Sequence, residues 1–221
     1  MTGTGRAWRV LAGSAFFWVS LLPCARADAS LESALERIRH EWAVVMFRVA
    51  PEKRSPALET LAQMARSVAE HYPGEAEPLA WEGIVLASWA DLRGPVFGYL
   101  AAQRARDLLL EAERTAPASL DGIGYGALAR LYWNALPWPL SFGDSARARA
   151  CLHKALATAP DTLEAQLLLT ELLLEQGDSR GAARSAHRAL AATGHSGLGD
   201  EVPPSQRREL IRLLVASESR H

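Results

Sequence analysis

At 221 residues, with 49% apolar and 22% charged positions and a formal net charge of −1, the chain has the balance of a folded globular protein and not of a disordered one. Of its 24 basic residues only Lys53 and Lys154 are lysine, and the arginines form no stripe or cluster, which argues against a polycationic nucleic-acid binder. Two cysteines, Cys24 and Cys151, are too few for a disulfide framework.

Residues 1–27 read as an export signal. Arg6 and Arg9 precede an apolar run over residues 10–22, and Ala25 and Ala27 put small residues at the two sites that a signal peptidase reads. That run of 13 is short for a membrane span, which needs about 20 residues. Cleavage after Ala27 is expected, giving a periplasmic or secreted protein, with an uncleaved anchor as the alternative. Leu21, Leu22, Pro23 and Cys24 also resemble a bacterial lipobox, with Pro23 where that motif has Gly, Ala or Ser. Membrane contact is expected only through a lipidated Cys24 or an uncleaved signal. Cleavage leaves 21 basic and 25 acidic residues, a net charge of −4, and Cys151 as the remaining thiol. Beside Leu152 on a helix, Cys151 reads as a small buried hydrophobe.

The mature chain reads as helices throughout. Leu31, Leu35, Ile38, Trp42, Val45, Met46 and Val49 recur at threes and fours, predicting a helix over residues 30–49 with Ser30 as its cap. The prolines in residues 51–56 are expected to break it. Leu58, Leu61, Met64, Ala65 and Val68 then mark a second helix that stops before Pro73 and Gly74. This pair, residues 28–75, has the place of a terminal unit that shows one face to water.

Further on, one spacing is written twice. Gly143, Asp144, Ala148, Ala155 and Leu156 recur 34 residues later as Gly177, Asp178, Ala182, Ala189 and Leu190. A fixed period of this length is the mark of stacked helical hairpins. Small residues are needed where two helix axes approach to about 8–10 Å, and large ones on either side.

In position as well as period, residues 76–193 resemble three copies of the tetratricopeptide repeat. Tyr125, Leu128, Ala129 and Tyr132, continued by Ala148, Leu152, Ala155 and Pro160, form the fullest copy. Trp81, Ile84, Val85, Ala105, Leu109, Ala112 and Pro117 form the one before it. The third, with Leu169, Leu173, Gly177, Ala182 and Ala189, has Gln166 where the aromatic belongs. The resemblance implies an all-α solenoid of about four helical hairpins. Residues 194–221 complete it as a loop and an amphipathic capping helix, with Leu210, Leu213 and Leu214 on one side and Arg207, Arg208 and Arg212 on the others.

Two turns are longer than the repeat allows. About eight surplus residues fall at 91–98, including Gly94, Pro95, Phe97 and Gly98, and about seven at 137–143, including Trp138, Leu140, Phe142 and Gly143. Both end in Phe-Gly. Insertions at equivalent places project from one edge of a solenoid, so these loops are expected side by side, with Phe97, Trp138 and Phe142 as apolar tips. They either cover the ends of their own helices or wall a groove. By the resemblance, the first helices line that groove with Glu82, Leu86 and Trp89, then Arg130, Trp133 and Asn134, then Glu171, Leu174 and Glu175. Trp and Arg are frequent binding hot spots.

Catalytic signatures are thin. His40 and Glu41 begin a zinc-protease motif, but Val44 stands where its second histidine belongs. His153 and His187, 34 apart, are the same repeat position twice and lack companions spaced as metal ligands. Gly122, Gly124 and Ala127 satisfy a dinucleotide fingerprint, but no strand precedes them and Asp121 suits a helix cap. The expected function is therefore non-catalytic, without metal or cofactor, and with no nucleic acid: an exported scaffold holding a protein or peptide partner in its groove. A second reading is solute handling. The run from Tyr125 through Gly126, Ala127, Leu128, Ala129 and Arg130 to Leu131, within residues 98–160, is distantly similar to the T component of tripartite ATP-independent periplasmic transporters. That likeness implies a solute-binding protein as partner and a small enclosed ligand.

Overall fold

The computed structural model describes residues 24–160, 163–192 and 212–213. Eight α-helices follow one another, with no β-strand among the described residues. They are α1 Cys24–Phe47, α2 Pro51–His71, α3 Ala76–Phe97, α4 Tyr99–Thr115, α5 Gly122–Asn134, α6 Ser145–Thr158, α7 Leu163–Glu175 and α8 Ser179–Ala192. One short 3-10 turn, Pro117–Ser119, precedes α5. The expected all-helical class is observed. Helices pack on their chain neighbours, α1 on α2, α3 on α4, α5 on α6 and α7 on α8, with α2 packed more extensively on α3 than on α1, and α1, α3, α5 and α7 also touch one another in series. None of the described helices is long and apolar enough to cross a membrane.

The first pair differs from expectation at both of its ends. α1 begins at Cys24, so Ser30 lies inside the helix and is not its cap; its hydroxyl instead reaches the Tyr72 hydroxyl at 2.7 Å, tying α1 to the end of α2. The proline-rich residues 51–56 are not a break but the first turns of α2. Pro51 takes the first helical position, where a missing N–H is harmless and the fixed φ already suits the helix. Glu52 beside it complements the positive end of the dipole. Of residues 1–27, which carry the export and lipobox expectations, 1–23 lie outside the described residues and 24–27 fall in the first turn of α1; the expected capping helix also lies outside them apart from Arg212 and Leu213.

At the 34-residue period the chain repeats its helix caps and buried alanines, while the paired glycines differ: Gly177 has a φ of 79° and Gly143 has no positive φ. Asp144 accepts from the backbone N–H groups of Ala146 and Arg147 at 2.9 and 3.0 Å, and Asp178 accepts from that of Gly181 at 2.8 Å, so each aspartate caps the helix after it. Ala148, Ala155, Ala182 and Ala189 are all fully buried. Asp121 caps α5 in the same way, accepting from Ile123 and Gly124, which accounts for the glycines there as a helix start. Gln166, in the aromatic's place, is fully buried: Ser185 Oγ on α8 stands 2.8 Å from its Oε1, and its amide donates to the Pro160 carbonyl. A hydrogen-bonded link between α7 and α8 thus occupies a layer filled elsewhere by Trp81 and Tyr125.

The core is one continuous layer from Leu35 and Ile38 on α1 to Leu168 and Leu172 on α7. A smaller cluster of Leu167, Leu174, Ala182, Ala186 and Ala189 is joined by Leu213, so the one described apolar residue of the expected cap is buried against the last pair. The first enlarged turn is not a loop. α3 runs on to Phe97 with a single break at Gly94, whose φ of 75° is a left-handed conformation that glycine adopts without a Cβ penalty. The second is an irregular turn closed by the Gly143 N–H donating to the Leu136 carbonyl at 2.9 Å. The two Phe-Gly pairs end alike: a Cβ on Gly98 would stand 2.4 Å from the Ala90 carbonyl oxygen, and one on Gly143 2.1 Å from that of Ala135. Each glycine lets its turn fold back onto the carbonyl eight residues before it.

Ala155→Leu should lower unfolding stability by roughly 1–3 kcal/mol through overpacking at the α6 crossing, read as a fall in the urea midpoint. An unchanged midpoint would mean that the crossing has room.

Candidate functional site

A cavity of about 360 Å³ opens where α1, α3 and α5 meet the two enlarged turns. Trp42 and Met46 come from the end of α1, Ile84, Ala87, Ser88 and Asp91 from α3, and Ile123, Gly126, Ala127, Arg130 and Asn134 from α5. Gly94 and Pro95 of the first turn and Ser141 and Phe142 of the second also border it, as do Tyr99 and Ala102 of α4 and Leu167 of α7. Both insertions therefore border one hollow. On α5 the cause is spacing: Gly126, Arg130 and Asn134 are four apart and lie on one helix face.

Polar groups in this wall are few and mostly paired. Trp42 Nε1 donates to Ser88 Oγ at 2.9 Å, and that hydroxyl donates to the Ile84 carbonyl at 3.0 Å. Arg130 Nη1 donates to Glu171 Oε2 at 2.8 Å, so α5 is tied to α7. Asn134 donates to Asp91 across the gap between α5 and α3. Ser141 Oγ is buried with no hydrogen-bond partner among the described residues. Such an orphan is uncommon, because an unpaired buried hydroxyl costs about 1–3 kcal/mol.

The residues expected in the groove divide into four groups. Arg130, Asn134 and Phe142 line the cavity, and Glu171 reaches it through Arg130. Glu82 does not face it. It is 3% exposed and accepts from Arg104 Nε and Nη2 at 3.0 and 2.8 Å, locking α3 to α4. Leu86, Trp89 and Trp133 are half-buried and pack on the core outside the cavity wall. The Arg93 guanidinium lies 5.1 Å from the Trp89 ring, whose Nε1 is buried without a partner among the described residues. Leu174 is buried in the last cluster and Glu175 is exposed at the end of α7.

The three apolar tips also separate. Phe97 and Trp138 are 79% and 84% exposed. Phe142 folds inward, edge-on to Tyr132 at 6.0 Å, with the Arg106 guanidinium 4.4 Å from its ring. One tip thus covers its own helix pair while two project.

The cavity's Trp42, Met46, Tyr99, Gly126 and Ser141 are not among the groove residues that the sequence points to. Trp42 and Met46 stand out in sequence only as core positions of α1. The signal that could have found Gly126 is its four-residue step to Arg130. Ser141 and Tyr99 carry no such signal, because a turn's fold-back places them.

No family model matches the chain, and no curated protein matches it.

Behind α5, Tyr125 donates to Glu113 at 3.1 Å, and Lys154 donates to the same carboxylate at 2.7 Å with its ammonium 5.0 Å from the Tyr125 ring. Burial pushes the Tyr125 hydroxyl above its ordinary pKa, and the bond to Glu113 adds to this. Burial likewise pushes the Cys151 thiol up. Cys151 should therefore react with a thiol reagent at pH 8 much more slowly in the folded chain than in urea, since little thiolate forms and access is restricted. Equal rates would show that the thiol is open.

Proposed function

We propose that this chain is an exported, tetratricopeptide-like α-solenoid that acts by binding and not by catalysis. Its protein or peptide partner docks at the edge where the two enlarged turns border the cavity. One observation carries this reading. The large apolar side chains exposed among the described residues are Leu92, Val96, Phe97, Leu100, Leu136, Trp138 and Leu140, and all lie in or immediately beside those two turns. Exposed apolar surface gathered in one region is a mark of interaction sites, whereas scattered single residues are ordinary. The consecutive helix pairs, the series of first helices and the paired features at 34 residues support the repeat reading. The apolar run over residues 10–22 supports export.

A second reading, small-solute handling in the manner of a transporter accessory, is favoured by the cavity itself. Its volume falls within the ~300–1,000 Å³ typical of ligand pockets, and its walls are mostly apolar with a few polar groups. A partner could seat on the rim above such a ligand.

A photoreactive amino acid in place of Trp138 should give a discrete protein adduct in the cell that exports the chain. Phe97→Ser, a surface change, should then weaken binding of that partner by about 1–2 kcal/mol, roughly 5- to 30-fold, with an unchanged thermal midpoint. Undiminished affinity in both Phe97→Ser and Trp138→Ser would remove the edge as the docking site.

A further inference from the structure

Gly126 has no packing reason to be glycine. Within a helix, glycine is about 0.8–1.0 kcal/mol less favourable than alanine, so a buried one in the middle of α5 calls for a cause. Elsewhere in these helices the cause is contact: a Cβ on Gly83 would stand 2.7 Å from Leu109 Cγ, and one on Gly124 2.8 Å from Leu120 Cδ2. A Cβ on Gly126 would meet nothing within 4 Å. The space it would enter is the cavity, whose wall Gly126 forms. The missing side chain keeps that volume open.

We infer that the cavity is a binding site for a neutral amphipathic small molecule, an inference that rests on the small-solute reading above. Its apolar ring or chain lies against Trp42, Met46, Ile84 and Ile123, with Gly126 supplying clearance. An uncharged oxygen acceptor, such as a carbonyl or amide, turns toward Arg130. The chemistry of the wall selects this class. Arg130 commits one of its five N–H groups to Glu171 and keeps others to donate. Against an anion, the single guanidinium is already ion-paired with Glu171, and Asp91 stands in the same wall. A ligand carboxylate would meet two carboxylates for one cation, in a partly water-excluded space where like charges repel more strongly than in bulk. A neutral acceptor takes the same hydrogen bonds without that repulsion.

The test uses the chain as it exists and the neutral fluorescent ketone 6-propionyl-2-dimethylaminonaphthalene. Its emission should shift to the blue and saturate at one probe per chain. Gly126→Leu, which fills the cavity from a helix-favouring residue, should abolish the shift while the circular dichroism and cooperative melt persist. Should that variant melt without cooperativity, Ala127→Leu fills the same cavity and is read in its place. In competition, 2-acetylnaphthalene should displace the probe at least about tenfold better than the near-isosteric 2-naphthoate, a difference of ~1.4 kcal/mol. If naphthoate competes equally well or better, the neutral class is overturned and the small-solute reading survives. If the wild-type chain fails to bind the probe, or the filled variants bind it as well as wild type, the cavity is not the site and both fall.

Discussion

The structure depends on the close approach of helices at buried alanines. Ala80, Ala105, Ala112, Ala129, Ala148, Ala155, Ala182 and Ala189 all have zero exposure, buried between packed helices. An alanine buries little apolar area of its own. Its role is to let the backbones come near enough for Leu109, Leu128, Leu152 and Leu168 to interlock on either side, where most of the hydrophobic free energy is gained at about 25 cal/mol per Å². A larger residue at a crossing would push one pair away from the next and open the layer.

Because the crossings set the pairs in series, they also decide where the surplus chain goes. Both enlarged turns must leave and re-enter their pairs at the same end, and both do so by laying a glycine on a carbonyl eight residues earlier. The fold-back turns Phe142 inward against Tyr132 and Arg106, and leaves Phe97, Trp138 and Leu140 outside. The hollow between the turns is roofed by neither. It persists because α5 presents Gly126 to it, and because Arg130 and Asn134, farther along the same face, are held to α7 and α3 by hydrogen bonds that would hinder their swinging in.

Polar groups between the helices serve two purposes. Glu82 with Arg104 and Gln166 with Ser185 join the two helices of a pair, α3 to α4 and α7 to α8, where an unpaired buried group would be costly. Arg130 with Glu171 and Asn134 with Asp91 join successive first helices at the wall of the cavity. The first kind makes the pairs specific. The second fixes the shape of the inner face.

Much of this was legible in the residues. Apolar spacing located the helices, and the matched aspartates and alanines at 34 residues marked helix caps and buried positions, because local caps and small-residue contacts are written close together in the chain. Helix ends were less legible. Pro51 reads equally as a breaker or a first helical residue, and residues 91–98 read as a loop until Gly94 is seen to interrupt an otherwise continuing helix. The inner face was half legible: Arg130 and Asn134 follow from a four-residue step on one helix. That Glu82 turns instead to Arg104, that Trp89 and Trp133 pack away from the hollow, and that Trp42, Tyr99 and Ser141 enter it depend on how separate pairs rotate against one another. Periodicity along one helix carries no record of that rotation. It is decided by the side chains of the neighbouring pair, so the tertiary structure alone determines which residues share the cavity.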